Sequence, residues 1–195
     1  MTSALERAIR AGAAARPVTE RCDLCGAALA EDHRHLLDTD RGEVLCSCPA
    51  CSVLFDRPAA SNGHYRRIPR RRVRLPAIDT APLGVPVGLA FFVPRSDGAV
   101  VAHYPSPLGT TDWEIDAASW TAVCDRHPVL DSLEPEVQAL LVDTAWGAHE
   151  HWLAPLDDCF RLVAIVRREW TGLSGGGTVW PAVARFFGAL TERRD

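Results

Sequence analysis

No lysine occurs anywhere in the 195 residues; all 21 basic side chains are arginine. That absence removes the phosphate-gripping lysine of a Walker loop, and no Gly-x-Gly-x-x-Gly run stands in for it. No apolar stretch approaches the ~18 residues of a membrane span, so membrane insertion is not expected. Residues 1–17 have no continuous apolar segment behind their charges, which argues against a secretory leader. The default expectation is a cytoplasmic protein. No catalytic constellation stands at a diagnostic spacing either. An enzyme is therefore the weaker reading, in the form of a thiol- or metal-dependent one built around Cys159, His149 and His151.

What the chain does have is clustered cysteine. Five of its seven cysteines lie between Cys22 and Cys51. The segment reads Cys22-Asp-Leu-Cys25-Gly26 and, later, Cys46-Ser-Cys48-Pro49-Ala50-Cys51. Two Cys-x-x-Cys pairs face each other across 22 residues. A zinc-type cation wants four soft ligands in a tetrahedron, and each pair offers two from one tight turn. Cys22, Cys25, Cys48 and Cys51 are thus the expected ligands. In a reducing compartment this crowding argues for metal over disulfides.

Between the pairs, His35-Leu-Leu37 and Glu43-Val-Leu45 flank an Asp-Arg-Gly turn signal, so a β-hairpin is expected. Knuckle, hairpin, knuckle is the plan of a zinc ribbon or treble clef. The Cys-Gly and Cys-Pro-x-Cys elements also resemble rubredoxin, where four thiolates hold one redox-active iron. Ser52 stands where that pattern has glycine, and core aromatics are scarce. Zinc is preferred, with iron the alternative. Alternation places Cys46 on the same side as Cys48. It reads as a small buried hydrophobe, a substitute ligand or an exposed thiol. His33 and His35 alternate as well, either as an exposed polar face or as part of a second metal site.

Charge divides the chain. Residues 1–76 carry 13 Arg against 9 Asp and Glu, while 77–195 carry 8 against 16. The expected organisation is a helix or tail over 1–17, a four-cysteine module over 18–57, an arginine-rich linker over 58–82 and an α+β body over 83–195. In the linker, Tyr65–Arg74 holds six arginines in ten residues. That is either a phosphate-binding strip or a strip docked on the acidic body, and nucleic acid is the weaker reading.

In the body, 87–93 and 99–104 read as strands joined at Ser96-Asp-Gly98, with Pro105 closing the second. Helices are expected over 119–127 capped by Ser119, from Glu134-Pro135 with Val137, Leu140 and Leu141 on one face, and around Cys159, Leu162, Val163 and Val166. A last helix carries Val179, Val183, Phe186 and Leu190. Residues 149–153 read as a short strand. The whole is a small antiparallel sheet covered by helices. The glycine run 172–177 before the last helix reads as a connection, and Cys124 and Cys159 as core. The tryptophans read mostly as core, with some available to mark a partner surface.

Two segments carry a resemblance. The first is Cys22-Asp-Leu-Cys25-Gly with Glu31-Asp-His-Arg-His-Leu and Leu45-Cys-Ser-Cys-Pro-Ala-Cys51-x-x-Leu-Phe. The second is Trp152-Leu-Ala-Pro-Leu-Asp-Asp-Cys159-Phe-Arg-Leu-Val with Trp170-x-Gly-Leu-Ser-Gly-Gly and a Phe-Phe helix. Both resemble an uncharacterised domain family encoded in actinobacterial gene clusters for nickel–iron uptake hydrogenases, over nearly the whole chain. The resemblance implies association with hydrogenase biosynthesis or electron flow and transfers no catalytic residues. The first expectation is therefore a metal-binding accessory protein that contacts a hydrogenase subunit or maturation factor. A rubredoxin-like electron carrier comes next, and a nucleic-acid-binding regulator third.

Overall fold

Asp38 begins the first structural decision of the chain. Its carboxylate accepts the amides of Asp40 and Arg41, each at 3.1 Å, and Gly42 at φ +66° closes the turn with its N–H on the Asp38 carbonyl. That turn folds β1 (Arg34–Asp38) against β2 (Glu43–Ser47) as the expected antiparallel hairpin. β3 (Tyr65–Arg67) adds to the other edge of β1, giving the order β2-β1-β3. After β2 the chain enters a short helix, α1 (Pro49–Leu54), with Pro49 in its first turn and Cys48 as its N-cap.

The computed structural model describes residues 20–56, 61, 63–84, 88–173 and 175–193. The expected helix or tail over 1–17 lies outside them. The chain forms two compact units, Met1–Arg67 and Ile68–Asp195. The fold class is α+β with antiparallel sheets. Among the described residues, no helix is long and apolar enough to cross a membrane.

The second unit is built on a six-stranded antiparallel sheet of order β4-β9-β8-β5-β6-β7. Its strands are β4 (Val73–Arg74), β5 (Leu89–Pro94), β6 (Val100–Ser106), β7 (Gly109–Ile115), β8 (Gln138–Asp143) and β9 (Glu150–Pro155). Alternation sends Ala90, Phe92, Ala102, Leu140, Val142 and Leu153 to one face, where they join Val123 and Cys124 of α2 (Ala117–Arg126) in a buried cluster. Phe91, Leu141 and Trp152 point the other way. There α3 (Leu156–Glu169) covers the sheet, with Phe160 edge-on to Phe91 at 6.4 Å, and α4 (Val179–Ala189) packs against α3. Both faces of the central strands are thus dry, and Phe91, Leu140 and Leu141 have no exposed surface.

Three expectations need correction, and one strand was not anticipated. The segment after Glu134-Pro135 is not a helix: Glu136 adopts φ +66°, and the next residues run into β8, the sheet's fully buried strand. Its apolar residues fit a helix face and a doubly covered strand equally well, and pairing with β5 and β9 decided between them. The helix expected over 119–127 starts two residues earlier and is capped by Asp116, whose carboxylate accepts both the N–H and the hydroxyl of Ser119. Pro105 does not end β6; it pairs with Thr110 inside a hairpin. The returning strand, β7, escaped sequence reading because its run Thr110–Glu114 is exposed and largely polar, with no buried face to set a period.

The arginine strip falls across the two units. Arg67 binds Asp56 at 2.9 Å in the first. In the second, Arg72 grips the buried carboxylate of Asp158, which also accepts from Arg161, and Arg74 meets Glu150 at 2.8 Å.

Candidate metal centre

The first cysteine pair sits on a tight knuckle. Gly26 at φ +74° donates its N–H to the Cys22 carbonyl, and Cys22 donates to Ala27, both at 2.8 Å. A side chain at Gly26 would be strained by that φ whatever the space around it. Arg21 braces the turn by donating to the Gly26 carbonyl. The second pair is made by a helix start. Cys48 caps α1, so its Sγ turns toward the amide of Cys51, which donates to it at 3.4 Å.

Asp23 draws the two together. Its N–H donates to the Cys46 carbonyl at 2.9 Å, and its carboxylate accepts the Cys46 N–H at 2.6 Å. The knuckle is thereby clasped to the end of β2, two residues before Cys48. The result is four sulfurs, of Cys22, Cys25, Cys48 and Cys51, all within 4.8 Å of one another. Cys25 and Cys48 stand 3.7 Å apart. Four thiolates at the usual Zn–S distance on a tetrahedron lie about 3.8 Å from each other. The donor set therefore fits a tetrahedral cation. All seven cysteines are free thiols.

The electrostatics of the set also call for a cation. At Cys22 burial pushes the thiol up, but backbone hydrogen bonds at Cys48, Cys25 and Leu24 and the Cys25 thiol outweigh it and bring the group down to about 6. At Cys51, hydrogen bonding to Cys25 and Cys48, burial and Cys22 push the thiol up to about 12. At Cys25 a backbone hydrogen bond at Ala27 pulls down, yet the Cys22 and Cys48 thiols leave it above its ordinary value. Cys22 is thus the readier thiolate, and Cys25 and Cys51 hold their protons more tightly. A positive ion at the centre would favour the thiolate form throughout.

Cys46 does not join that group. It lies directly across from His35 in the hairpin register. Its sulfur and one nitrogen each of His33 and His35 form a second set, again within 4.8 Å. Burial, then the carboxylates of Asp23 and Glu20, hold its thiol above the ordinary value. The sequence carried the signal for this pairing. Once the turn is fixed at Asp38–Glu43, counting back along both strands puts residue 35 opposite residue 46.

The body residues do not assemble a comparable site. Among the described residues, His149, His151, Asp157, Asp158 and Cys159 form no metal-type group. His149 is exposed, whereas His151 is buried beside Val142. Cys159 is wholly buried, and burial, with Asp158 and Asp157, raises its thiol well above the usual range. Cys124 is pushed up to about 11 by burial and by Asp131 and Asp125. Neither is an activated nucleophile. Trp152 is buried, but Trp113 is 66% and Trp146 85% exposed, the latter at φ +53° and edge-on to Trp180.

A family described as being of unknown function (DUF5947) matches residues 21–194. No curated protein and no solved structure matches the chain.

Proposed function

The chain belongs to the DUF5947 family, whose function is unknown, and we propose that it is a metal-binding accessory protein. Cys22, Cys25, Cys48 and Cys51 hold one structural zinc ion in a ribbon-like or treble-clef-like module, and the rest of the protein works through protein–protein contacts. The observation that carries this is the four-thiol cluster, with its 3.7 Å Cys25–Cys48 spacing. Exposed Trp113 and Trp146 on the body support a partner surface, because tryptophan is enriched where proteins meet. The sequence resemblance to chains encoded with nickel–iron uptake hydrogenases supplies the process: assembly or maturation of such an enzyme, with a subunit or maturation factor as partner.

The second reading is a rubredoxin-like iron electron carrier using the same thiols. Cys25-Gly26 and Cys48-Pro-x-Cys51 favour it; Ser52, buried where that pattern has glycine, and the helical start at Cys48 weigh against it. Elemental analysis of the purified chain, with visible spectra of oxidised and reduced protein, separates the two. One equivalent of zinc and no colour supports the structural site. One equivalent of iron, red and bleaching on reduction, replaces it with electron transfer. No bound metal refutes both.

A further inference from the structure

We propose that His33, His35 and Cys46 form a second, three-ligand site for a borderline divalent cation of the zinc class, distinct from the four-thiolate centre and open at its fourth position. Its ligands are separate from those of the first centre, although the two share one module.

The geometry begins with the hairpin. His35 and Cys46 are cross-strand partners, and side chains of such pairs stand about 4.5–5.5 Å apart at Cβ on one face. His33 precedes His35 by two residues, so an extended chain brings it to that face as well. The two imidazoles meet edge to face with centroids 4.6 Å apart. One donor atom from each of the three residues falls within a 4.8 Å set. Tetrahedral ligation by two imidazoles and one thiolate needs donor separations of about 3.3–3.6 Å, which small rotations about the side-chain bonds supply.

The surroundings are those of ligands, too. His33 Nδ1 lies 2.9 Å from the Ala30 carbonyl. A carbonyl only accepts, so Nδ1 carries the hydrogen, and in the neutral ring Nε2 is left with the lone pair. Metal-binding histidines are commonly oriented by this kind of backbone bond. The Glu20 carboxylate stands 3.5 Å from the same Nδ1. Asp23 fixes the backbone of Cys46 through its two hydrogen bonds. The carboxylates of Asp23 and Glu20 therefore both lie beside the set, a field that attracts a cation.

The two centres differ in ligand type. Four protein thiolates close a coordination shell; three mixed ligands leave a position for water or for a donor from another molecule. The second ion is therefore the exchangeable one, and imidazole with thiolate suits zinc, cobalt, nickel or copper better than calcium or magnesium.

The test uses the full chain. Protein saturated with zinc is dialysed against a low zinc concentration and analysed for metal; protein carrying one zinc is then titrated with Co2+. The wild type should bind a second equivalent, with cobalt absorption bands of a one-thiolate, two-imidazole site. His35→Ala and Cys46→Ser should each lose that equivalent and keep the first, which also shows that the module still folds. His35→Gln serves if His35→Ala loses both. A wild type that takes up one equivalent only, or a second equivalent that survives in a His33→Ala/His35→Ala/Cys46→Ser chain, overturns the proposal. Loss of the first equivalent in the wild type would instead sink the four-thiolate reading.

Discussion

The two units hold themselves together in different ways. Among the described residues from 20 to 67, the buried aliphatic side chains are Leu36 and Leu37; the other buried positions are Cys22 and Cys48 and the polar Asp38, Ser47 and Ser52. Two leucines cannot offset the conformational entropy of some forty ordered residues, a cost of about 1–2 kcal/mol per residue for the backbone alone. The 68–195 unit instead covers both faces of a six-stranded sheet and buries Phe91, Phe92, Leu140, Leu141, Leu153 and Leu162 completely. On the proposed reading the first fold depends on a cation, whereas the second depends on its core. The chain also labels them for the spectroscopist, since all six tryptophans lie in the second unit and five of the seven cysteines in the first.

The sharpest way to break this comparison is Cys25→Ala. Cys25 is exposed, so its truncation leaves no cavity and removes little but a ligand. Structural zinc contributes about 10–16 kcal/mol to small folds of this kind, more than such a module has to spare. Residues 20–56 should unfold and become protease-sensitive, while tryptophan fluorescence stays native. A protease-resistant module in that variant ends the argument that metal holds it.

Phe92→Ala tests the other half. Its ring is fully buried and packs on Trp120, so the body should lose about 3–5 kcal/mol by denaturant unfolding read from tryptophan, with zinc content unchanged. An effect under about 1 kcal/mol would mean that the body, too, leans on something besides its core.

Arg72→Ala probes a polar contribution inside the apolar unit. It strands the Asp158 carboxylate, which is 3% exposed, with Arg161 as its remaining cation. The expected cost is about 3 kcal/mol, the low end for breaking a buried pair. Adding Asp158→Asn should recover part of it. A double variant no more stable than Arg72→Ala would show that the arginine's packing mattered rather than its charge.

How far the sequence revealed these units follows from the same contrast. Ligand spacing is a one-dimensional code, so the gathering of Cys22, Cys25, Cys48 and Cys51 was legible without any fold. The role of Cys46 was not read, because it depends on hairpin register, a two-dimensional fact. In the body, amphipathic α3 and α4 announced themselves by period. β8 did not, because a strand buried on both faces has no period to distinguish it from a buried helix; β7 did not, because an edge strand with exposed side chains has no apolar face. The arginine strip looked like one element by composition, yet Arg67 pairs with Asp56 and Arg72 with Asp158 on opposite sides of the boundary between the two units.

The smallest expected effect concerns His151, the body's buried imidazole. Among the described residues neither ring nitrogen makes a well-formed hydrogen bond, although backbone at Ile78 and His149 lies close enough to act on the ring. Burial lowers its pKa below the ordinary 6.5 and prevails over the upward pull of backbone at Ile78; exposed His149 pushes down, and Glu150 and backbone at His149 push up, by less. The unfolded chain therefore binds a proton here before the folded one does. The stability that neutral His151 permits is complete above its unfolded value and drains away as pH falls from about 6.5 through the folded value. Between pH 7.5 and pH 5.5 the tryptophan-detected stability of the body should fall more steeply in the wild type than in His151→Leu. At pH 7.5 the variant should be no less stable, because leucine leaves no buried ring nitrogen unsatisfied. Parallel pH profiles for the two proteins would mean that His151 acquires a proton partner on folding. The body would then, like the module, depend on a polar centre.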